Sequence, residues 1–254
     1  MSNYVERIDY KNSSLFICIS SMPINRYPSH GHNDLNSFIL YVNKKPIFID
    51  SGRYNYESSN YHENQISAYQ HNSLTINNME PLSGICSRKL PDAYSCVNVN
   101  TIKNIEDDYV SYEISHDGFK RLFFDKIEHV RKFILYSNRL LVIDKITSIN
   151  DVTISQFLNL DQSISLININ DNILKMRNEV NDMKYKLSYN AHDCNDQSIK
   201  AKIKSSDCII SPNYGEQKIS QRIEFDAKCS KSFISNIEFS WFKYYVWNSW
   251  INKF

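Results

Sequence analysis

Apolar residues along this chain fall in short runs, and runs with a period of two outnumber stretches with the 3.6-residue period of an amphipathic helix. Residues 15–19 read as a buried strand ended by Ser20, Ser21 and Pro23. Residues 37–42 and 47–49, separated by Asn43, Lys44, Lys45 and Pro46, predict a hairpin, with Asp50 closing its second strand and Ser51-Gly52 turning the chain. Residues 53–70 lack an apolar period but hold Tyr54, Tyr56, Tyr61 and Tyr69, as a long surface loop would. Alternation resumes over 72–76, with Leu74 and Ile76 on one face, and Asn77-Asn78 ends it as a turn. Further on, 109–114, 121–124, 129–135, 140–146 and 153–160 have the spacing of a meandering sheet, punctuated by Gly118, Asn138 and Asn150. The last hundred residues continue with weaker alternation at 163–169, 183–188, 199–203, 222–225 and 233–241. The pattern predicts an all-β chain folded as a mostly antiparallel β-sandwich.

Composition narrows this picture without redirecting it. No repeat, low-complexity tract or Pro/Gly-rich linker divides the 254 residues, so one domain over 1–254 is expected, and with 5 Gly and 6 Pro the turns rely on Asn and Asp. The 17 Tyr and 13 Phe suit strands; most of the Tyr read as amphipathic sandwich residues, though such a density also suits stacking on sugars. With 29 Lys plus Arg against 28 Asp plus Glu, the formal charge of +1 makes no case for nucleic acid or an anionic membrane as partner. The six cysteines form neither a CxxC pair nor a tight framework, which leaves their redox state open and argues against a zinc ribbon. Residues 1–10 carry Glu6, Arg7 and Asp9 and lack the apolar core of a signal peptide, and no run approaches the ~18 apolar residues of a membrane span. The expectation is a soluble chain, cytoplasmic if it is complete.

Chemistry concentrates in one stretch, Ser29 to Asp34, reading Ser-His-Gly-His-Asn-Asp, with Asp50 and His71 as later single residues that belong with it. Positions i and i+2 of an extended backbone face the same side, so His30 and His32 alone would be read as chelating one metal or polyanion together. Gly31 lets a backbone approach its ligand, and Asn33 and Asp34 offer oxygens that orient a ring N–H. A hairpin centred near Lys44 pairs Asp50 with a residue close to Phe38, so residues 33–36 must fold back for Asp50 to meet His32.

The order His30-Gly31-His32-Asn33-Asp34, then Phe48-Ile49-Asp50-Ser51-Gly52-Arg53-Tyr54, then Gln70-His71-Asn72-Ser73-Leu74 resembles the C-terminal β-sandwich domain of the heparinase II/III-like polysaccharide lyases. Weaker likeness runs through His116-Asp117-Gly118-Phe119, His129-Val130-Arg131 and Val142-Ile143-Asp144 to Ser211-Pro212-Asn213-Tyr214-Gly215, with the clearest coverage over 15–161. The resemblance implies a zinc site of His32, Asp50 and His71, a chemically sensible ligand set, with His30 outside it and directed at substrate. It also implies β-elimination at a uronic acid of an anionic polysaccharide, a glycosaminoglycan or alginate, in a bacterial setting. His30 is then the candidate base or carboxylate neutraliser, Tyr54 and Tyr69 the candidate phenols, and Arg53 and Tyr56 the candidate substrate contacts.

Two departures from the family pattern matter. The N-terminal α-helical toroid that carries the principal Tyr in these lyases is absent from this sequence, and residues 157–161 hold no His where many members have one. The alternative is therefore a non-catalytic, zinc-stabilised sandwich that binds a glycan or docks with a separate toroid chain. His116 and His129 match positions that look structural, with His129 and Arg131 expected on a solvated sheet face, and His62 and His192 read as surface residues.

Overall fold

The computed structural model describes residues 5–19, 32–55, 65–81, 99–120 and 127–242. Fourteen strands follow in chain order. The first five are β1 (Val5–Tyr10), β2 (Ser13–Cys18), β3 (Phe38–Val42), β4 (Lys45–Phe48) and β5 (Leu74–Ile76). β6 (Val99–Ile105), β7 (Tyr109–His116), β8 (Glu128–Tyr136) and β9 (Arg139–Asn159) come next. β10 (Ile164–Asn170), β11 (Ile173–Asn178), β12 (Lys184–His192), β13 (Lys202–Ile210) and β14 (Lys218–Phe242) complete the set. Residues Ala68–Gln70 form a 3-10 turn.

The strands form two antiparallel sheets. The smaller has the order β1-β2-β3-β4. In the larger the path is β10-β11-β12-β14-β9-β8-β7-β6, with β13 added on β14 and β5 on β9. Alternation decides which faces meet: Leu15 and Ile17 of β2 and Phe38, Leu40 and Val42 of β3 point inward and are buried. They pack on the inner face of the large sheet, where Phe38 meets Phe133 at 5.3 Å and Phe48 meets Phe239 at 4.8 Å between ring centroids. Such edge-on pairs are the favoured aromatic geometry and hold the two layers together. The hairpin between β3 and β4 turns at Asn43 and Lys44, both with positive φ (51° and 62°), the backbone that a two-residue turn requires. Asn77 and Asn78 repeat the device after β5, with φ of 51° and 59°.

The pattern of the second half was read too finely. The runs 140–146 and 153–160 are one strand, β9, and 222–225 and 233–241 are one strand, β14. These two pair along most of their length, and their register breaks between Ser230 and Ser232, where Lys231 has φ 70°. Asn150 lies opposite that irregularity, so it marks a bend inside a continuous ladder rather than a strand end. The strand expected over 199–203 begins later, at Lys202. β1 and β6 carry weak alternation and fall outside the expected runs, as does β11 although it alternates, with Leu174 and Met176 buried; β6 is an edge strand with six exposed positions. The loop expected over 53–70 has a buried end, since Gln65, Ile66 and Ala68 are inside. The segment 121–124 and Trp247 and Trp250 lie outside the described residues, whereas Trp241 is buried at the end of β14.

Candidate functional site

Three segments converge at one end of the sandwich. Before β3 the chain folds back as required: the Ser37 amide donates to the Asp34 carbonyl, the Asn36 amide to the Cys18 carbonyl, and Asn36 has φ 62°. After β4, Ile49 pairs with Asn159 of β9, and Asp50 follows directly. The 3-10 turn delivers His71, which is fully buried, just before β5. Asn72 joins all three: its side-chain amide donates to the carbonyls of Phe38 (2.7 Å) and Ile49 (3.0 Å), and its oxygen accepts the Asn159 amide (2.6 Å).

This arrangement brings together the three residues singled out as ligands. The rings of His32 and His71 lie 5.2 Å apart, and Asp50 Oδ2 stands 2.6 Å from His71 Nδ1 while its Oδ1 accepts the Gly52 amide at 2.8 Å. Burial disfavours the Asp50 carboxylate, but the charge and hydrogen bond of His71 outweigh it and lower its pKa to about 2. Burial likewise opposes charge on His71, and Asp50 overcomes it, raising His71 above the ordinary imidazole value. His71 Nε2 is buried with no hydrogen-bond partner. With Asp50 Oδ2 on Nδ1, an ion at Nε2 would lie across the ring from Asp50, so His32, Asp50 and His71 could share one ion only if it took the place of the proton between Oδ2 and Nδ1. Among the described residues no three His, Cys, Asp or Glu side chains are gathered closely enough to form a finished metal site. The donor chemistry nevertheless fits zinc: two imidazoles and a carboxylate.

The supporting residues differ from those expected. Asn33 turns to Glu80, whose carboxylate also holds Ser67 Oγ and, at 2.8 Å, the Ala68 amide, so Glu80 rather than Asn33 fixes the entry to His71. Asp34 does sit in the field of His71 and Asp50; burial raises its pKa, against a hydrogen bond with Cys18. Gly52 bridges to Ser211 with φ 69°, and a Cβ there would lie 2.1 Å from the Ser211 carbonyl oxygen, so this position needs glycine. Two segments named for their family likeness, one around Gly52 and one starting at Ser211, are therefore in contact. Tyr54 is placed by its backbone, its amide on Gln65 Oε1 and its carbonyl accepting from Gly215. Arg53 Nε donates to the Asn55 carbonyl at 3.3 Å. Tyr69 is turned elsewhere: its hydroxyl donates to the Asn78 carbonyl and its ring packs on Phe157 at 5.1 Å, with its pKa raised mainly by burial. His30 and Tyr56 lie outside the described residues, as does His62. His192 is half-buried, 3.2 Å from Asp196.

Beneath the site lies a polar network that corrects the reading of His129 and Arg131 as solvated. Both are 2% exposed, because they share the inward face of β8 with Phe133 and Leu135, and the register with β9 puts Arg131 opposite Asp144, which is itself fully buried. Arg131 Nε and Nη2 hold the two Asp144 oxygens at 2.7 and 2.9 Å, and Nη1 donates to the carbonyls of Asn36 and Asn72, both at 2.9 Å. The guanidinium thus clamps the segments that carry His32 and His71. Gln156 Nε2 also donates to Asp144 (2.6 Å), and its oxygen accepts the Tyr189 hydroxyl (2.8 Å). Proton positions follow from partners: the Gly118 amide donates to His116 Nδ1, so His116 Nε2 carries the proton given to His129 Nδ1 (2.8 Å), and His129 Nε2–H donates to Asp144 (2.7 Å). Each imidazole is satisfied while neutral, and burial lowers the pKa of both. Burial would raise Asp144, but Arg131 and His129 hold it well below the usual carboxylate range.

The sign of the pH dependence follows. His116 and His129 bind protons in the unfolded chain below about pH 6.5 and not in the folded one, so their contribution falls as pH drops. Asp144 keeps its full contribution above the ordinary carboxylate value of about 3.9 and loses it progressively as pH falls from there toward its own low value. In the metal-free protein His71 acts oppositely, stabilising at acid pH and losing that contribution as pH rises through its raised pKa. In a His71→Ala background the urea midpoint is expected to fall steadily from about pH 7 to about pH 5. A flat profile would contradict the neutral imidazole chain.

Residues 2–233 match the model of the heparinase II/III-like C-terminal family, well past the 15–161 span where the resemblance is clearest in sequence. Among solved structures, heparinase III, the BT4657 gene product, superposes with a TM-score of 0.70 at 14% identity over 95% of this chain and 34% of its own. The heparan sulfate lyase HepC from Pedobacter heparinus gives 0.70 at 12% identity, over 94% of this chain and 35% of that one. Slr1438 from Synechocystis sp. PCC 6803 gives 0.51 at 12% identity and is covered over 96% of its length. At such identities these likenesses speak for the fold, and the chain spans about a third of the lyases it matches. No curated protein sequence matches it. Among the described residues no helix is long and apolar enough to cross a membrane. With a family model matched over most of its length and the two-sheet architecture in place, the chain belongs to the heparinase II/III-like family, of which it represents the C-terminal domain.

Proposed function

We propose that this sandwich works in a polysaccharide lyase that cleaves a uronic-acid-containing anionic glycan by β-elimination, with zinc held by His32, Asp50 and His71. The observation that supports it most is the convergence of the three donors, with the His32 and His71 rings 5.2 Å apart and Asp50 Oδ2 2.6 Å from His71 Nδ1. Zinc, when bound, supplies a fixed positive charge that ties the two loops together and favours an anionic sugar nearby. The remaining work falls to side chains. His30, two residues before His32, takes the C5 proton or neutralises the C6 carboxylate; as the proton leaves, its electron pair forms the C4–C5 double bond, the C4–O bond breaks, and the departing oxygen takes up a proton. Arg53 and Tyr56 contact substrate, and Tyr54, fixed on the loop after Asp50, is the better-placed phenol.

One observation favours the second reading, a zinc-stabilised glycan-binding or toroid-docking module. Tyr69 is committed to the Asn77-Asn78 turn and to Phe157, with a raised pKa, and so is unsuited to act as a base. The test is to incubate the chain, alone and with a helical toroid domain of the family, with alginate, heparan sulfate and hyaluronan. Ultraviolet absorbance from the new double bond is the readout. The expected result is weak turnover alone, strong turnover with the toroid, and a 10²–10⁴-fold loss in His30→Ala, the usual scale of general acid–base catalysis. No unsaturated product in either case would hand the argument to the binding module.

A further inference from the structure

Two arginines are drawn into the large sheet, and they differ in one respect. Arg131 has its counter-ion, Asp144, on two of its nitrogens. Arg222 of β14 is partly buried and has no ion pair among the described residues. Its Nε donates to Asn159 Oδ1 at 2.9 Å and its Nη2 to Gln70 Oε1 at 2.5 Å, both neutral amide oxygens. The nearest carboxylate it feels, Glu224, is engaged by Lys204 at 3.1 Å, and Lys204 also holds Asp226 at 2.6 Å. A cation taken from water without a carboxylate partner is costly, and proteins keep such groups where an anionic ligand completes them.

Its position agrees with that use. Gln70, which it grips, precedes His71; Asn159, its other partner, donates to the Gln70 carbonyl at 2.6 Å and pairs through its backbone with Ile49 and Asn72 around Asp50 and His71. The amides hold the guanidinium fork in one orientation, and that pre-organisation suits recognition of a planar or tetrahedral anion. Phe157, opposite Glu224 on the same face, is buried, and the half-buried Tyr69, tilted against it, brings an aromatic ring to the side of the fork.

We propose that Arg222, oriented by Gln70 and Asn159, forms an anion subsite for an acidic group of a glycan, a uronate carboxylate or a sulfate, at the edge of the His32–Asp50–His71 site. This deepens the lyase reading and rests on it for the identity of the ligand, but it is tested by binding rather than by turnover, so the two can fail separately. Titration calorimetry would compare the wild-type chain, Arg222→Gln and Arg222→Lys with three probes: a hyaluronan octasaccharide, the same oligosaccharide with its carboxyl groups reduced to alcohols, and a heparan sulfate octasaccharide. Wild type is expected to prefer the carboxylate form to the reduced one by about tenfold or more, the scale of one charge-assisted hydrogen-bonded contact. Arg222→Gln should bind the two alike, and Arg222→Lys should restore part of the preference. A preference retained in heparan sulfate binding alone would assign the subsite to sulfate. A preference unchanged in a folded Arg222→Gln, or no binding of any probe by wild type, would overturn the proposal. Should Arg222→Gln fail to fold, the arginine Nε–H resonances of the wild-type chain decide: on titration with methyl glucuronide and then with sulfate, that of Arg222 should move while that of Arg131 stays, and no movement with either overturns it.

Discussion

Replacing Arg131 by Met is expected to cost about 3–5 kcal/mol of folding stability, the range for breaking one side of a buried ion pair. The substitution leaves Asp144 charged and fully buried, with His129 and Gln156 as its remaining donors. It also removes both N–H groups that hold the Asn36 and Asn72 carbonyls. Asp144→Ala strands the guanidinium instead and should cost as much. The double variant should be less damaged than the sum of the two, since neither charge is then left alone, and a double-mutant cycle in urea measures that difference. Full additivity would mean that Arg131 and Asp144 act independently, against the geometry.

His71→Ala should abolish zinc binding and lower the melting temperature of protein purified with its metal. About one zinc per chain is expected in the wild type. A zinc bound as proposed would tie the end of the 3-10 turn to the loop before β3 and add its binding energy to folding, so a chelator should reproduce most of the loss in wild type but little of it in the variant. His30→Ala should keep its zinc. Elemental analysis showing zinc lost from His30→Ala and kept in His71→Ala would restore the simpler arrangement in which His30 and His32 chelate together.

Much of this site was legible because it is local. The hairpin with its Asn43-Lys44 turn, the His-Gly-His stretch, Asp50 at a strand end and His71 at a loop-to-strand junction are each set by residues near one another in sequence. The fold-back of 33–36 could be deduced because the hairpin register forbids any other way for Asp50 to reach His32. What stayed hidden depends on register between distant strands. Arg131 falls in phase with the buried Phe133 and Leu135 of β8, so its inward face was legible in the alternation despite its charge; only the register shows that Asp144 stands opposite it. Glu80, Asn159 and Arg222 carry no motif; they reach Ala68 and Gln70 through β5, β9 and β14, whose alignment no short pattern encodes. The two long strands were divided because a bulge imitates a turn in sequence while the ladder continues through it. Asn33 was given only an acceptor role through its oxygen, and its Nδ2 donating to Glu80 is a contact that no short motif announces.

The central claim is that His32, Asp50 and His71 together make a metal centre, and X-ray absorption at the zinc edge of the zinc-loaded chain tests it most directly. The predicted spectrum shows two imidazole nitrogens at about 2.0–2.1 Å with oxygen filling the remaining positions, unchanged in His30→Ala and lost in His71→Ala. A sulfur shell at about 2.3 Å, or a third imidazole that disappears with His30, would contradict it.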